Sequence, residues 1–238
     1  DVYKRQDIGL RNLDVIMGLE NRIVYDLVNV IEGVCKLNQA MIRDKNGHEL
    51  YLIPAAQTRD KSCVEPEQLR ELCAKLEEEF DYVLMDCPAG IEQGFKNAVA
   101  AAQEAILVTT PEVSSIRDAD RVIGLLEASE LHRPKLIINR INPGMVRDGN
   151  MMDRRDIVDL LAVDVLGLVP VDDRTITAAN RGVPVVHDKK SAAGSAFLRI
   201  AARVDGDEVP LMEVEYKSSL MSRFKGLVGI NGSAYSHA

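Results

Sequence analysis

Tyr82-Val83-Leu84-Met85-Asp86-Cys87-Pro88-Ala89-Gly90-Ile91-Glu92 is the stretch on which the fold is decided. A short apolar run ends in an aspartate, and a turn containing Pro88 and Gly90 follows. In nucleotide-hydrolysing α/β proteins such a carboxylate reaches the metal side of a bound phosphate. The loop after it senses the γ-phosphate.

The flanking sequence alternates short apolar runs with longer amphipathic ones. Tyr51 to Pro54 reads as a strand ending, and Pro66 to Phe80 as a helix with Leu69, Leu72, Cys73, Leu76 and Phe80 on one stripe. Tyr82 to Met85 is predicted as a strand, Ala105 to Thr109 as the next, and Leu136 to Ile138 and Val165 to Val169 as two more. Helices are predicted from a Ser114 or Ser115 cap to about Ser129, over Asp153 to Leu161, Asp173 to Asn180 and Ser191 to Val204. Strands apolar on both faces and separated by helices predict an α/β fold, a mainly parallel sheet flanked by helices. Ligands of such sheets bind beyond the carboxyl ends of the strands. Asp86, Thr109-Thr110, Asn139-Arg140 and Pro170-Val171-Asp172 all fall there.

A chain of 238 residues with 46% hydrophobic content can bury one sizeable core. With no Trp and 4% aromatic residues, that core must be aliphatic. The net charge of −8 disfavours a nucleic-acid partner. Cys35, Cys63, Cys73 and Cys87 show no paired metal-ligand spacing and read as reduced thiols. No run approaches the ~20 apolar residues that span a bilayer.

The C-terminal end differs in kind. Residues 207–216 are acidic and contain Pro210, which suits a linker. Placed on a helix within 217–230, Leu220, Met221, Phe224, Leu227 and Val228 fall in an arc of about 120°, flanked by Arg223 and Lys225. Basic residues beside an apolar stripe suit a helix lying in an anionic lipid headgroup layer. A terminal helix packed on its own domain is the plainer alternative. Residues 231–238 read as a flexible tail.

Asp7-Ile8-Gly9-Leu10-Arg11-Asn12-Leu13-Asp14, Ile16-Met17-Gly18, Tyr25 to Val30, Leu52 to Lys61, Asp86 to Glu92 and Pro111 to Arg121 together carry a family resemblance. With the basic amphipathic tail, the chain resembles the MinD family of deviant-Walker (ParA/MinD) ATPases from about Asp7 to Gly229. That resemblance implies a P-loop NTPase fold, ATP and Mg²⁺, and roles for particular residues. Asp7 and Asn12 would lie near the γ-phosphate and the attacking water, in a first switch over Asp7 to Asn12. Asp86 would be the Walker B aspartate, the catalytic carboxylate holding Mg²⁺ through water. Cys87 to Gly90 would be the second switch, with Gly90 at the nucleotide. Asn139, Arg140, Pro170, Val171 and Asp172 would embrace the adenine. Arg11, Glu112, Ser114, Asp118 and Asp120 would belong to a dimer-dependent surface receiving a MinC-like inhibitor or a MinE-like activator. From the residues alone, a solvated helix face is the preferred reading of those acidic positions. The family further implies an ATP-dependent homodimer, cytoplasmic and peripheral on the inner face of the cell membrane.

The chain departs from the family in one respect. No G-x-x-x-x-G-K-[ST] phosphate loop occurs among its sixteen glycines. The strand that should lead into Asp7 is replaced by Asp1-Val2-Tyr3-Lys4-Arg5-Gln6, with Arg5 where an aspartate belongs. Residues 1–6 are therefore read as non-native sequence and residues 7–206 as a truncated ATPase domain lacking the first strand and phosphate loop. Poor ATP binding is the expectation for this polypeptide. Competing readings are a ParA-type ATPase for DNA or cargo segregation, an iron protein of nitrogenase-like reductases, and a non-catalytic binding fragment.

Overall fold

The computed structural model describes residues 13–55, 64–87 and 90–212. Three short helices open it: α1 (Leu13–Met17), α2 (Leu27–Ile31) and α3 (Leu37–Ala40). The Asp26 carboxylate accepts from the Asn29 amide at 3.0 Å, and the Asn29 side chain accepts from the Asp26 amide at 3.1 Å, so α2 starts in a reciprocal cap. Strands β1 (Ile42–Arg43) and β2 (Tyr51–Leu52) pair antiparallel, so the expected strand at Tyr51 is one arm of a hairpin. Helix α4 (Pro66–Glu77) starts at a proline and buries Leu72, Cys73 and Leu76, as the stripe predicts. Helix α5 (Gln93–Ala101) packs on α4. Its buried Asn97 donates to the Val64 carbonyl at 2.7 Å and accepts from Gln93.

The remainder alternates strand and helix: β3 (Ile106–Thr109), α6 (Val113–Ala128), β4 (Lys135–Ile141), α7 (Pro143–Arg147), α8 (Arg154–Leu161), β5 (Val165–Pro170), α9 (Arg174–Asn180) and α10 (Ala192–Val204). β3, β4 and β5 form a parallel sheet with β4 central. Successive β4 side chains enter opposite layers, which is why its sequence is apolar without alternation. Leu136 and Ile138 meet Ile116, Ile123, Ile157 and Leu161 from α6 and α8. Ile137 meets Ala193, Ala196 and Ile200 from α10. Each such fully buried aliphatic side chain contributes about 1.5–3 kcal/mol. Gly167 lets α10 press onto β5, since a Cβ there would overlap the Ile200 side chain.

Two expectations are corrected. Tyr82 to Met85 joins no ladder among the described residues, and Leu84 is 81% exposed. A strand exists only with a hydrogen-bonded neighbour, and β3 is the edge of the described sheet, with Val108 58% exposed. The first part of the expected linker, Asp207 to Met212, does not leave the domain but is bonded back to α10. Among the described residues no helix is long and apolar enough to cross a membrane.

Candidate functional site

The carboxyl edge of the sheet is shaped by a bulge. Ile138 pairs with Leu168 and Ile141 with Pro170, so Asn139 and Arg140 together face Val169 alone. Bulges re-aim side chains at sheet rims. Arg140 takes the left-handed conformation, φ 59°, and its amide donates to the Asn139 side-chain oxygen at 2.9 Å. A non-glycine residue held there costs roughly 1–2 kcal/mol, a form of strain that clusters at functional sites. After the bulge, Asn142 caps α7, its side-chain oxygen accepting from the Gly144 and Met145 amides at 3.0 and 3.2 Å.

A cleft of about 800 Å³ opens at this edge, lined by Pro111, Glu112, Val113, Arg140, Asn142, Val171 and the methionines Met145, Met151 and Met152. It gathers Arg140 and Val171, expected at the adenine, with Glu112, expected on the partner surface. The sequence reading missed the methionines; their signal was the Gly144-Met145 and Met151-Met152 pairs after the Asn142-Pro143 turn.

Pro170, Val171 and Asp172 continue the edge, with the Val171 amide donating to the Ile141 carbonyl at 3.0 Å. The Asp172 side chain is already engaged. One oxygen accepts from the Arg174 amide at 3.0 Å. The other accepts from the Ser191 hydroxyl at 2.6 Å and the Ala193 amide at 3.2 Å. The Ser191 hydroxyl, opposed by burial and helped by the backbone amides of Arg174, Ala193 and Ala192, holds this carboxyl below its ordinary range. Asp172 thus ties the end of β5 to the start of α10.

Asp86 is exposed at the end of the Tyr82–Met85 segment, and Gly90 adopts φ 111°. Neither lines the cleft. Ser114, Asp118 and Asp120 are exposed on α6, whose buried stripe is Ile116, Ala119, Ile123 and Leu126. The helix is capped at Glu112, not at Ser114 or Ser115. The Ser115 hydroxyl instead accepts from Thr110 at 2.9 Å. Asp7, Arg11, Asn12 and the tail positions Leu220, Met221, Arg223, Phe224, Lys225, Leu227 and Val228 lie outside the described residues.

The septum site-determining protein MinD of Bacillus subtilis (strain 168) is 52% identical to this chain over 227 residues, spanning 94% of the chain and 85% of the relative. The chain belongs to the MinD family.

Among solved structures, this MinD-family chain is similar to the MinC:MinD cell division protein complex of Aquifex aeolicus. The TM-score is 0.81 at 44% identity, covering 87% of this chain and 83% of that one. It is also similar to the MinD of Pyrococcus horikoshii OT3 complexed with Mg-ADP, at TM-score 0.73 and 28% identity, covering 83% and 80%. Residues 49–165 match the family model of the cellulose biosynthesis protein BcsQ. The α/β fold, of the MinD P-loop NTPase type, is shared with these neighbours.

Asp86 offers one exposed carboxylate, a hard oxygen donor of the kind that Mg²⁺ takes alongside waters and phosphate oxygens. A second cleft, of about 740 Å³, lies where α1 meets the loop after α9. Gly18 and Gly182 are both left-handed there, at φ 63° and 60°, and so close that a Cβ on Gly18 would lie 2.8 Å from the Gly182 carbonyl. Lys45 donates to that same carbonyl at 2.5 Å. This contact ties the end of α1 to the loop that follows α9.

Proposed function

We propose that this MinD-family chain belongs to a membrane-cycling ATPase that helps position the division septum. The single observation that carries the nucleotide part is the bulged carboxyl edge, where Asn139, Arg140 and Val171 converge around a strained backbone. The adenine would lie against Asn139, Arg140 and the Pro170–Asp172 backbone. Asp86 would hold Mg²⁺ through water, Gly90 would approach the phosphates, and Asp7 and Asn12 would orient the attacking water. Bound Mg²⁺ would supply charge neutralisation at the phosphates. The reaction is transfer of the γ-phosphoryl group to water, achieved by positioning and electrostatic stabilisation.

ATP would join two copies face to face. The dimer would present paired tails to an anionic membrane, where Leu220, Met221, Phe224, Leu227 and Val228 enter the acyl boundary and Arg223 and Lys225 meet headgroups. One short tail binds weakly, and two bind far better through effective concentration. The surface bearing Arg11, Glu112, Ser114, Asp118 and Asp120 would receive a MinC-like inhibitor, and a MinE-like activator would stimulate hydrolysis and release the dimer. The Aquifex MinC:MinD complex supports the first partner for this family.

The polypeptide as written lacks a phosphate-loop motif, so it would bind ATP very poorly. The membrane test is therefore made on a version that carries a family phosphate loop ahead of Asp7. Sedimentation of the loop-bearing protein with anionic vesicles should rise when ATP is added. Sedimentation indifferent to ATP, with salt-dependent DNA binding instead, would favour the ParA-type reading.

A further inference from the structure

The backbone just after α10 is fastened by two arginines, Arg203 above all. The chain turns at Gly206, φ 97°, and the Asp207 amide donates to the Ala202 carbonyl at 2.9 Å. It then runs back along α10. Arg203 donates from Nε to the Val209 carbonyl at 2.7 Å, from Nη2 to the Pro210 carbonyl at 2.6 Å and from Nη1 to the Leu166 carbonyl of β5 at 2.7 Å. Arg199 adds a second donor to the Pro210 carbonyl at 3.0 Å. Met212 closes the segment by packing, with Phe197 and Val204, on the layer built from Ile137, Ala196 and Ile200. At the root of the turn, the Tyr82 hydroxyl donates to the Asp205 carboxylate at 2.7 Å, tying it to the segment that ends in Asp86.

We propose that Asp207–Met212 is a fixed strap of the domain and that Arg203 is the positioning residue that sets where the tail leaves it. The planar guanidinium fork reaches three carbonyls on two elements at once, a geometry an ammonium group cannot reproduce. The consequence for lipid binding rests on the proposed lipid-binding tail. With the strap docked, only residues 213–216 separate it from the tail at 217–230. With the strap released, residues 207–216 would do so, a tether about two and a half times as long. Effective concentration falls roughly as the −3/2 power of tether length, so release would weaken two-tailed attachment about four-fold.

Hydrogen exchange on the full chain tests this, in solution and on vesicles of phosphatidylglycerol and phosphatidylcholine. A chain ending at Met212 serves as the tail-less control. The wild type should show protected amides over 207–212 in both settings. Arg203→Met should exchange there at least about ten-fold faster, with β4 amides unchanged, and Arg203→Lys should fall between the two. Met212→Ser, which leaves Arg203 intact, should loosen the strap's far end and guards against a folding failure of the first variant. Three outcomes overturn the proposal: free-peptide exchange over 207–212 in the wild type, no change in Arg203→Met and Met212→Ser, or loss of wild-type protection on vesicle binding. If the full chain sediments no better than the tail-less chain even at a vesicle concentration high enough to capture a single weakly binding tail, the lipid reading fails, and the solution exchange still decides the strap.

Discussion

Arg140 holds, at φ 59°, a backbone conformation that glycine would adopt freely. Arg140→Gly is therefore expected to leave the fold intact and raise stability by up to about 1 kcal/mol, relieved strain being partly offset by added freedom in the unfolded chain. Urea unfolding checks this. Asp172 works in the opposite sense. Its carboxyl is held below the ordinary range chiefly by Ser191, against burial. Its stabilisation is thus fully present above about pH 4, the unfolded-chain value, and is lost as pH falls through the lower folded value. Asp172→Asn should cost about 1–2 kcal/mol near pH 7 in urea unfolding, and the gap should close in acid. Both residues stood out in the sequence because they sit at strand ends. The bulge around Arg140 and the Ser191 bond to Asp172 could not be read there, because strand register and a contact across nineteen positions are properties of the folded pairing.

Helices with a clean apolar stripe were legible. Residues 66–77, 154–161 and 192–204 form helices close to the predicted bounds. Helix α5 was not, because Gly94 lies in its first turn and Glu92 before it is not a favoured N-cap residue. Tyr82 to Met85 has strand composition yet joins no described ladder, since an apolar run specifies a strand only when a neighbour is present. It and β3 leave apolar side chains exposed, a surface that favours edge-to-edge association. Leu84→Lys with Val108→Lys should change stability by less than about 0.5 kcal/mol each, while lowering light scattering in concentrated solution. Scattering unchanged by the pair would place self-association elsewhere. Gly167→Ala should cost about 1–3 kcal/mol, because the new methyl group must displace Ile200 and with it α10. Thermal unfolding reads that loss.

Across the whole molecule, the MinD-family fold brings Asn139, Arg140 and Val171 to one edge and places Glu112 beside them. Asp86 lies on a separate segment, outside the cleft. The family motifs made most of this edge legible, while the methionine lining came from a connection whose path only the fold defines. The central claim is that this edge receives the base of ATP while the chain lacks the motif that grips the phosphates. Titration of Mg-ATP into the ¹⁵N-labelled chain tests it most directly. The account predicts shifts at the Asn139, Arg140 and Val171 amides with a dissociation constant weaker than about 1 mM, less than about 4 kcal/mol of binding. Micromolar affinity, or binding that leaves those three amides unmoved, would contradict it.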